Sequence, residues 1–211
     1  MIACTKLAPI HIKGSPGTGR RAVFLDRDGV INVDFGYVGT WDRFIFVPGA
    51  VEAIKVLNDL GYRVIVVTNQ SGIARGYFNK AAFATITARM LSTMGEQGAR
   101  VDAVYGCPHL LTSGGPACNC RKPAPGMILA GIADYEVSAV DSVLVGDKSS
   151  DIEAAKAAGI GRSVLVAPHS QSCEALQAAA DQVVPTLAAF AASETTRFSW
   201  GDHPPKATSQ V

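Results

Sequence analysis

Apolar residues along the chain alternate between two patterns. Continuous runs occupy Ala22–Leu25, Tyr62–Val67 and Ser142–Gly146, and each stops at a polar group: Asp26, Thr68 and Asp147 respectively. Short unbroken apolar runs of this kind predict strands of a parallel sheet covered on both faces. Between them the period changes. Ala50, Ala53, Ile54, Leu57 and Leu60 recur at helical spacing, as do Phe83, Ile86, Met90 and Met94 behind an N-cap candidate, Asn79. The same reading gives a strand at Val101–Gly106, a helix at Gly126–Tyr135, a helix at Ser149–Ala158 and a strand at Ser163–Ala167. A helix at Ser172–Ala180, an edge strand at Val183–Val184 and a short helix through Phe190 complete it.

Alternating strands and helices predict a doubly wound α/β fold with a parallel sheet, whose ligands bind outside the carboxyl ends of the strands. Asp26, Thr68 and Asp147 are therefore expected to converge. Residues 1–20 and 193–211 show no clear periodicity, so residues 21–192 are expected to form one domain between an extension and a tail.

Composition narrows the partners. Of 211 residues, 48% are hydrophobic and 18% charged, which suits one sizeable core. The formal charge of +1 and the scattered cations offer no field for nucleic acid or membrane, so a small-molecule partner is expected. No secretory pattern and no run of 18 apolar residues is found. Five cysteines, with Cys4 and Cys173 isolated, do not form a disulfide framework. A soluble, cytoplasmic monomer is the expectation.

The chemistry lies at the strand ends. Asp26-Arg-Asp28-Gly29 sets two carboxylates two residues apart where a strand exits into a loop. Such neighbours can divide labour, one ionised as nucleophile or metal ligand and the other raised in pKa to move protons. Thr68-Asn69-Gln70-Ser71 and Gly146-Asp147-Lys148-Ser-Ser-Asp151 end the other two runs with a hydroxyl, amides, a lysine and two further acids. Hydroxyls and lysines hold phosphate oxygens, and an added carboxylate can complete a Mg²⁺ site. Alone, each segment also reads as an ordinary polar loop or helix cap.

Together, D-x-D-G-V, T-N, R-K-P and G-D-x-x-x-D, in this order, resemble the haloacid dehalogenase-like (HAD) phosphatase superfamily. The resemblance implies Asp26 as the nucleophile and Asp28 as the general acid and base. It also implies Mg²⁺ on Asp26, the Asp28 carbonyl and Asp147, and a phosphoryl group held by Thr68 and Lys122. Asp151 is implied as a support for Lys122 or the metal. Forty positions separate Asp28 from Thr68 and 54 separate Thr68 from Lys122, which leaves no room for a large cap domain.

Cys107-x-His109, eight residues, then Cys118-x-Cys120 can close a tetrahedral Cys₃His site, the set that Zn²⁺ favours. The alternative is a buried thiol cluster with a hydrogen-bonded histidine. With all four positions filled by protein, the zinc is expected to be structural, fixing the loop that continues into Arg121 and Lys122.

The segments DRDGVINVDFGYV, VVTNQSGIARGYF, CPH…CNCRKPAPGM and VGDKSSD are similar, within that superfamily, to the heptose bisphosphate phosphatase family, from about residue 21 to 190. This implies hydrolysis of the C7 phosphate of a heptose 1,7-bisphosphate in a pocket lined by Asp34, Phe35, Gly36, Tyr37, Asn69, Gln70, Ser71, Arg121 and Lys148. Phe35 stands where family members often carry His, and their zinc loop is often longer. Histidinol-phosphate phosphatase is the competing enzyme reading. A catalytically silent scaffold would lack one of Asp26, Asp28, Lys122 or Asp147, and all are present. Gly14–Arg21 mimics a P-loop but carries Arg21 where Ser or Thr would bind Mg²⁺, and precedes the first predicted strand.

Overall fold

The computed structural model describes residues 10–14, 17, 20–110, 118–167 and 179–199. Within them the strands are β1 (Ile10–Lys13), β2 (Ala22–Leu25), β3 (Arg63–Asn69), β4 (Ala103–Cys107), β5 (Val143–Gly146), β6 (Arg162–Val166) and β7 (Gln182–Val184). The helices are α1 (Ala50–Asp59), α2 (Lys80–Glu96), α3 (Gly126–Tyr135), α4 (Ser149–Ala157) and α5 (Leu187–Ser199), with a single 3₁₀ turn at Trp41–Arg43. The predicted helix at 172–180 and the connection between His109 and Cys118 fall largely outside the described residues. So do His169, Trp200 and His203.

The sheet order is β1-β4-β3-β2-β5-β6-β7, with every neighbour parallel except β1 on β4. Successive side chains of a strand point to opposite faces, and the central strands are buried on both. Val23, Leu25, Val64, Val66, Val143 and Val145 pack on one side with α1, α2 and α5. Ala22, Phe24, Ile65, Val67 and Leu144 pack on the other with α3 and α4. That two-sided cover is why these strands read as unbroken apolar runs.

Both chain ends depart from expectation. Residues 10–13 add an antiparallel edge strand in register Ile10↔Gly106 to Lys13↔Ala103. Its alternating half-buried pattern is too short to signal a strand before its partner is known. The last helix runs nine residues past Phe190, to Ser199. It is welded to the sheet by Tyr62, whose hydroxyl donates to Glu194 at 2.6 Å, and by Arg162, which pairs with the same carboxylate at 2.5 Å. Glu194, Tyr62 and Phe190 are all buried.

β2 sits in the middle, with β3 on one side and β5 on the other. The chain winds outward in both directions from this point, so a crevice opens above the carboxyl ends of β2 and β5. Asp26 leaves β2 there, and its N–H donates to Val145 O at 3.0 Å.

Candidate active site and metal centre

Four segments distant in sequence meet at that crevice. Lys122 lies at its centre, only 3% exposed, with Nζ 3.0 Å from Asp26 Oδ1 and 2.5 Å from Asp151 Oδ1. Nζ also donates to Val67 O at 2.7 Å. Burial disfavours its charge, but Asp151 and Asp26 outweigh that and hold its pKa above the usual lysine value. Asp26 is pushed upward by burial and pulled back by Lys122. The net shift stays upward, so the lysine opposes the cost of burying this nucleophile candidate's charge without cancelling it.

Asp147 closes the same crevice from the end of β5. Burial, with Asp26 nearby, raises its pKa to about 7, and its Oδ1 is buried without a hydrogen-bond partner. Ligand oxygens of Asp26, Asp147 and Asp151 all lie within 4.8 Å of one another. Asp151, however, is already committed: it pairs with Lys122 and its Oδ2 accepts the Lys148 N–H at 3.0 Å, capping α4. Asp26 and Asp147 remain as the pair able to face a divalent cation, and hard carboxylate oxygens suit Mg²⁺. Gly29 is required beside them. Its φ is +92°, and a Cβ there would stand 2.3 Å from Asp147 Oδ2.

Asp28 follows on the loop, with Asn32 Nδ2 donating to its Oδ1 at 2.9 Å. Arg27, 1% exposed, turns its guanidinium onto the same carboxylate, with Nη2 at 2.9 Å from Oδ1. Arg27 carries no signal in the sequence beyond its place between two acids, yet it is the largest fully buried side chain among the described residues.

Two residues expected to line the substrate pocket have their side chains engaged inside the protein. The Asn69 carboxamide exchanges two hydrogen bonds with the Lys122 backbone. Gln70, 3% exposed, donates to Thr68 Oγ1 and Asp28 Oδ2, each at 2.9 Å. Ser71 begins the following turn, its carbonyl accepting from Arg75. At the mouth, Lys148 pairs with Asp34 at 3.1 Å and approaches Asp147 at 3.5 Å. Burial opposes the Lys148 charge, but Asp147 and Asp26 hold its pKa up. Burial would raise the Asp34 pKa, but the Gly36 N–H and Lys148 more than reverse this. Phe35 and Tyr37 are half exposed, and Tyr37 meets Tyr77 edge-on at 4.8 Å. With Thr40 and Arg43 these tyrosines border a cavity of about 250 Å³.

The cysteine cluster assembles as its spacing suggests. Cys107, His109, Cys118 and Cys120 present ligand atoms all within 4.8 Å of one another. Sγ of Cys107 and Cys118 are 3.7 Å apart, Sγ of Cys107 and Cys120 3.3 Å, and His109 Nδ1 lies 3.5 and 3.3 Å from Cys107 and Cys120. The edge of a tetrahedron built on Zn–S bonds of about 2.3 Å is about 3.8 Å, so the four donors fit zinc with small adjustment. All three cysteines are free thiols. Hydrogen bonding to Cys120 and burial drive the Cys107 thiol well above the usual range, so metal binding there would have to displace its proton. Arg121 is tied to it through His109 O at 3.1 Å.

Known proteins match this arrangement. The chain is 42% identical over 171 residues to D-glycero-beta-D-manno-heptose-1,7-bisphosphate 7-phosphatase of Yersinia pestis, covering 79% of this chain and 91% of that protein. The enzyme of that name from Pasteurella multocida is 44% identical over 150 residues, covering 70% and 82%. This chain belongs to the heptose bisphosphate phosphatase family of HAD-like hydrolases. A HAD-hydrolase-like family model matches residues 119–190.

Solved structures from the family superpose well. D,D-heptose 1,7-bisphosphate phosphatase from B. bronchiseptica, complexed with magnesium and phosphate, aligns with a TM-score of 0.73 at 33% identity. It covers 84% of this chain and 99% of its own. A HAD-like phosphatase from Mesorhizobium loti aligns at 0.74 and 32%, covering 91% and 95%. The HAD-like α/β core is thus shared with these structures, no large cap domain occurs among the described residues, and no described helix is long and apolar enough to cross a membrane.

Proposed function

We propose that this phosphatase hydrolyses the C7 phosphate of D-glycero-D-manno-heptose 1,7-bisphosphate to heptose 1-phosphate through an aspartyl-phosphate on Asp26. The observation that carries this is the Lys122 ammonium held between Asp26 and Asp151 at the β2/β5 crevice, in a chain 42% identical to enzymes bearing that name.

The Asp26 carboxylate attacks phosphorus, and the P–O bond to the sugar breaks with its electron pair going to the sugar oxygen. Asp28 gives that oxygen a proton. Asp28, now a carboxylate, takes a proton from water as the water oxygen bonds to phosphorus. The Asp26–phosphorus bond then breaks, which releases inorganic phosphate and restores Asp26. Lys122 and Thr68 hold the equatorial oxygens, so catalysis rests on positioning and charge stabilisation. Asp26, Asp147 and the Asp28 carbonyl would hold Mg²⁺, which neutralises charge on the phosphoryl group when bound. The cysteine cluster would hold structural Zn²⁺.

Arg121 and Lys148 supply positive charge for the second phosphate: the guanidinium is a planar fork and the ammonium a mobile point charge. Histidinol phosphate has no second phosphate to use them. Asp34, Phe35, Gly36 and Tyr37 would form the rim against the sugar, with Ser71 as a further contact. Free thiols at the cluster suit the reducing cytoplasm, with a small-molecule substrate as the only partner required.

Phosphate release with Mg²⁺ from both anomers of heptose 1,7-bisphosphate, histidinol phosphate and fructose 1,6-bisphosphate, compared as kcat/KM, tests this reading. One heptose anomer should exceed histidinol phosphate by tenfold or more. Preference for histidinol phosphate would overturn it.

A further inference from the structure

We infer that Gln70 is a positioning residue that holds the Asp28 carboxyl in the orientation its proton transfer requires. The inference rests on the reading of Asp28 as the general acid and base.

Gln70 is buried at 3% exposure, and its backbone N–H is fixed to Cys107 O at 2.7 Å on the neighbouring strand. Both hydrogens of its Nε2 are spent, one on Thr68 Oγ1 and one on Asp28 Oδ2, each at 2.9 Å. Its Oε1 faces Arg27 Nη2 at 3.5 Å. The opposite orientation of the amide would aim an acceptor at a carboxylate, so these contacts define which way it points.

The two oxygens of Asp28 are served unequally. Oδ1 accepts from Asn32 Nδ2 at 2.9 Å, Arg27 Nη2 at 2.9 Å and Arg27 Nε at 3.3 Å. Arg27 Nη2 has two hydrogens, and one goes to Val38 O at 2.8 Å. The other lies between the two carboxylate oxygens, at 2.9 and 3.0 Å. Oδ1 therefore faces three donor atoms, whereas Oδ2 faces two, Gln70 Nε2 and the shared Arg27 Nη2, and Gln70 is the donor that serves Oδ2 alone. Arg27 and Asn32 anchor one oxygen; Gln70 aims the other. Because the same carboxyl gives the proton to the sugar and later takes one from water, loss of Gln70 impairs both half-reactions.

The test compares two leaving groups on the zinc- and magnesium-loaded full chain. p-Nitrophenyl phosphate loses nitrophenolate without needing a proton, whereas a sugar phosphate needs one, and kcat/KM reports the steps up to leaving-group departure. Gln70→Met should lower kcat/KM for heptose 1,7-bisphosphate by about 10- to 100-fold, a part of what a positioned acid contributes. For p-nitrophenyl phosphate kcat/KM should stay within about threefold, with a burst of nitrophenolate because water attack on the aspartyl-phosphate is slowed. Equal losses on the two substrates, or no loss on the sugar, would overturn the inference.

Asp28→Asn separates this from the reading beneath it. If Asp28→Asn penalises only the sugar substrate and Gln70→Met does not discriminate, the acid assignment stands and the inference alone falls. If Asp28→Asn treats both substrates alike, both fall. Should Gln70→Met not fold, Gln70→Glu carries the same comparison. It fills the same space but sets an acceptor against Asp28, so a selective loss is expected, whereas a space-filling role would leave both substrates near wild type.

Discussion

The side chain of Asn69 pairs with the backbone of Lys122 in both directions: Nδ2 donates to Lys122 O at 3.0 Å, and Oδ1 accepts the Lys122 N–H at 3.1 Å. A carboxamide thereby imitates one more rung of the sheet, joining the end of β3 to the loop that leaves the cysteine cluster. The lysine is placed by its main chain as well as by its charge.

Breaking that rung should move the lysine without removing it. Asn69→Ala is expected to destabilise the protein by about 1–3 kcal/mol, the usual cost of leaving partly buried groups unpaired. It should also lower kcat about tenfold or more through a displaced ammonium. Urea unfolding and steady-state kinetics check this. If the ion pairs alone position Lys122, kcat will not change.

Lys122→Met strips the cation from two buried carboxylates, Asp26 and Asp151, both under 10% exposed. Breaking a buried pair from one side costs about 3–5 kcal/mol, so Tm should fall steeply and phosphate release should vanish. Asp26→Asn leaves the Lys122–Asp151 pair intact and should be equally inactive but far milder in stability. Adding Asp151→Asn to Lys122→Met should recover part of the stability and none of the activity.

Metal analysis of protein purified without chelator should find close to one zinc per chain. Cys118→Ser removes one donor from the tetrahedron and should lower zinc affinity by more than tenfold. Turnover should fall with it, because the loop that carries Arg121 and Lys122 loses its fixed origin. Excess Mg²⁺ should not restore that loss. Wild-type activity in zinc-free Cys118→Ser would show that the cluster does not hold the loop.

Tyr62 links stability to alkaline pH. Burial first, then its hydrogen bond to Glu194, raises the Tyr62 pKa above its ordinary value. Below pH about 10 the phenol is neutral in both states and the bond contributes fully. As pH rises further, the unfolded chain ionises while the folded one resists, so stability is lost toward the raised folded pKa, at up to about 1.4 kcal/mol per pH unit. Tyr62→Phe should be less stable at pH 7 by about 1 kcal/mol, and its Tm should fall less steeply between pH 9 and 11. Parallel pH profiles for the two proteins would contradict this.

Much of the site could be read from the sequence because its chemistry sits at local features. Asp26, Thr68 and Asp147 each close an apolar run, and a parallel sheet covered on both faces brings such ends to one edge. The C-x-H and C-x-C pairs stand out by residue type and spacing, and the fold brings all four side chains together. Asn69 and Gln70 were expected to line the substrate pocket because the family resemblance implies it, and nothing nearby in sequence shows what else their amides meet. Their partners, Lys122 and Asp28, lie 53 and 42 positions away.

The sequence by itself determined the order of most strands and helices, the carboxylates at the β2 exit and the four residues of the Cys/His cluster, since period and residue chemistry are local properties. Tertiary structure decided the rest. β1 became a strand only because the open edge of β4 accepted it, and α5 runs to Ser199 because Glu194 has Tyr62 and Arg162 to reach. Arg27 turned inward for the same reason: a buried guanidinium is tolerated where Asp28 and the Val38 carbonyl already wait for it. Hydrogen bonds and ion pairs between distant segments are set by strand register, and no local pattern encodes which donor meets which acceptor.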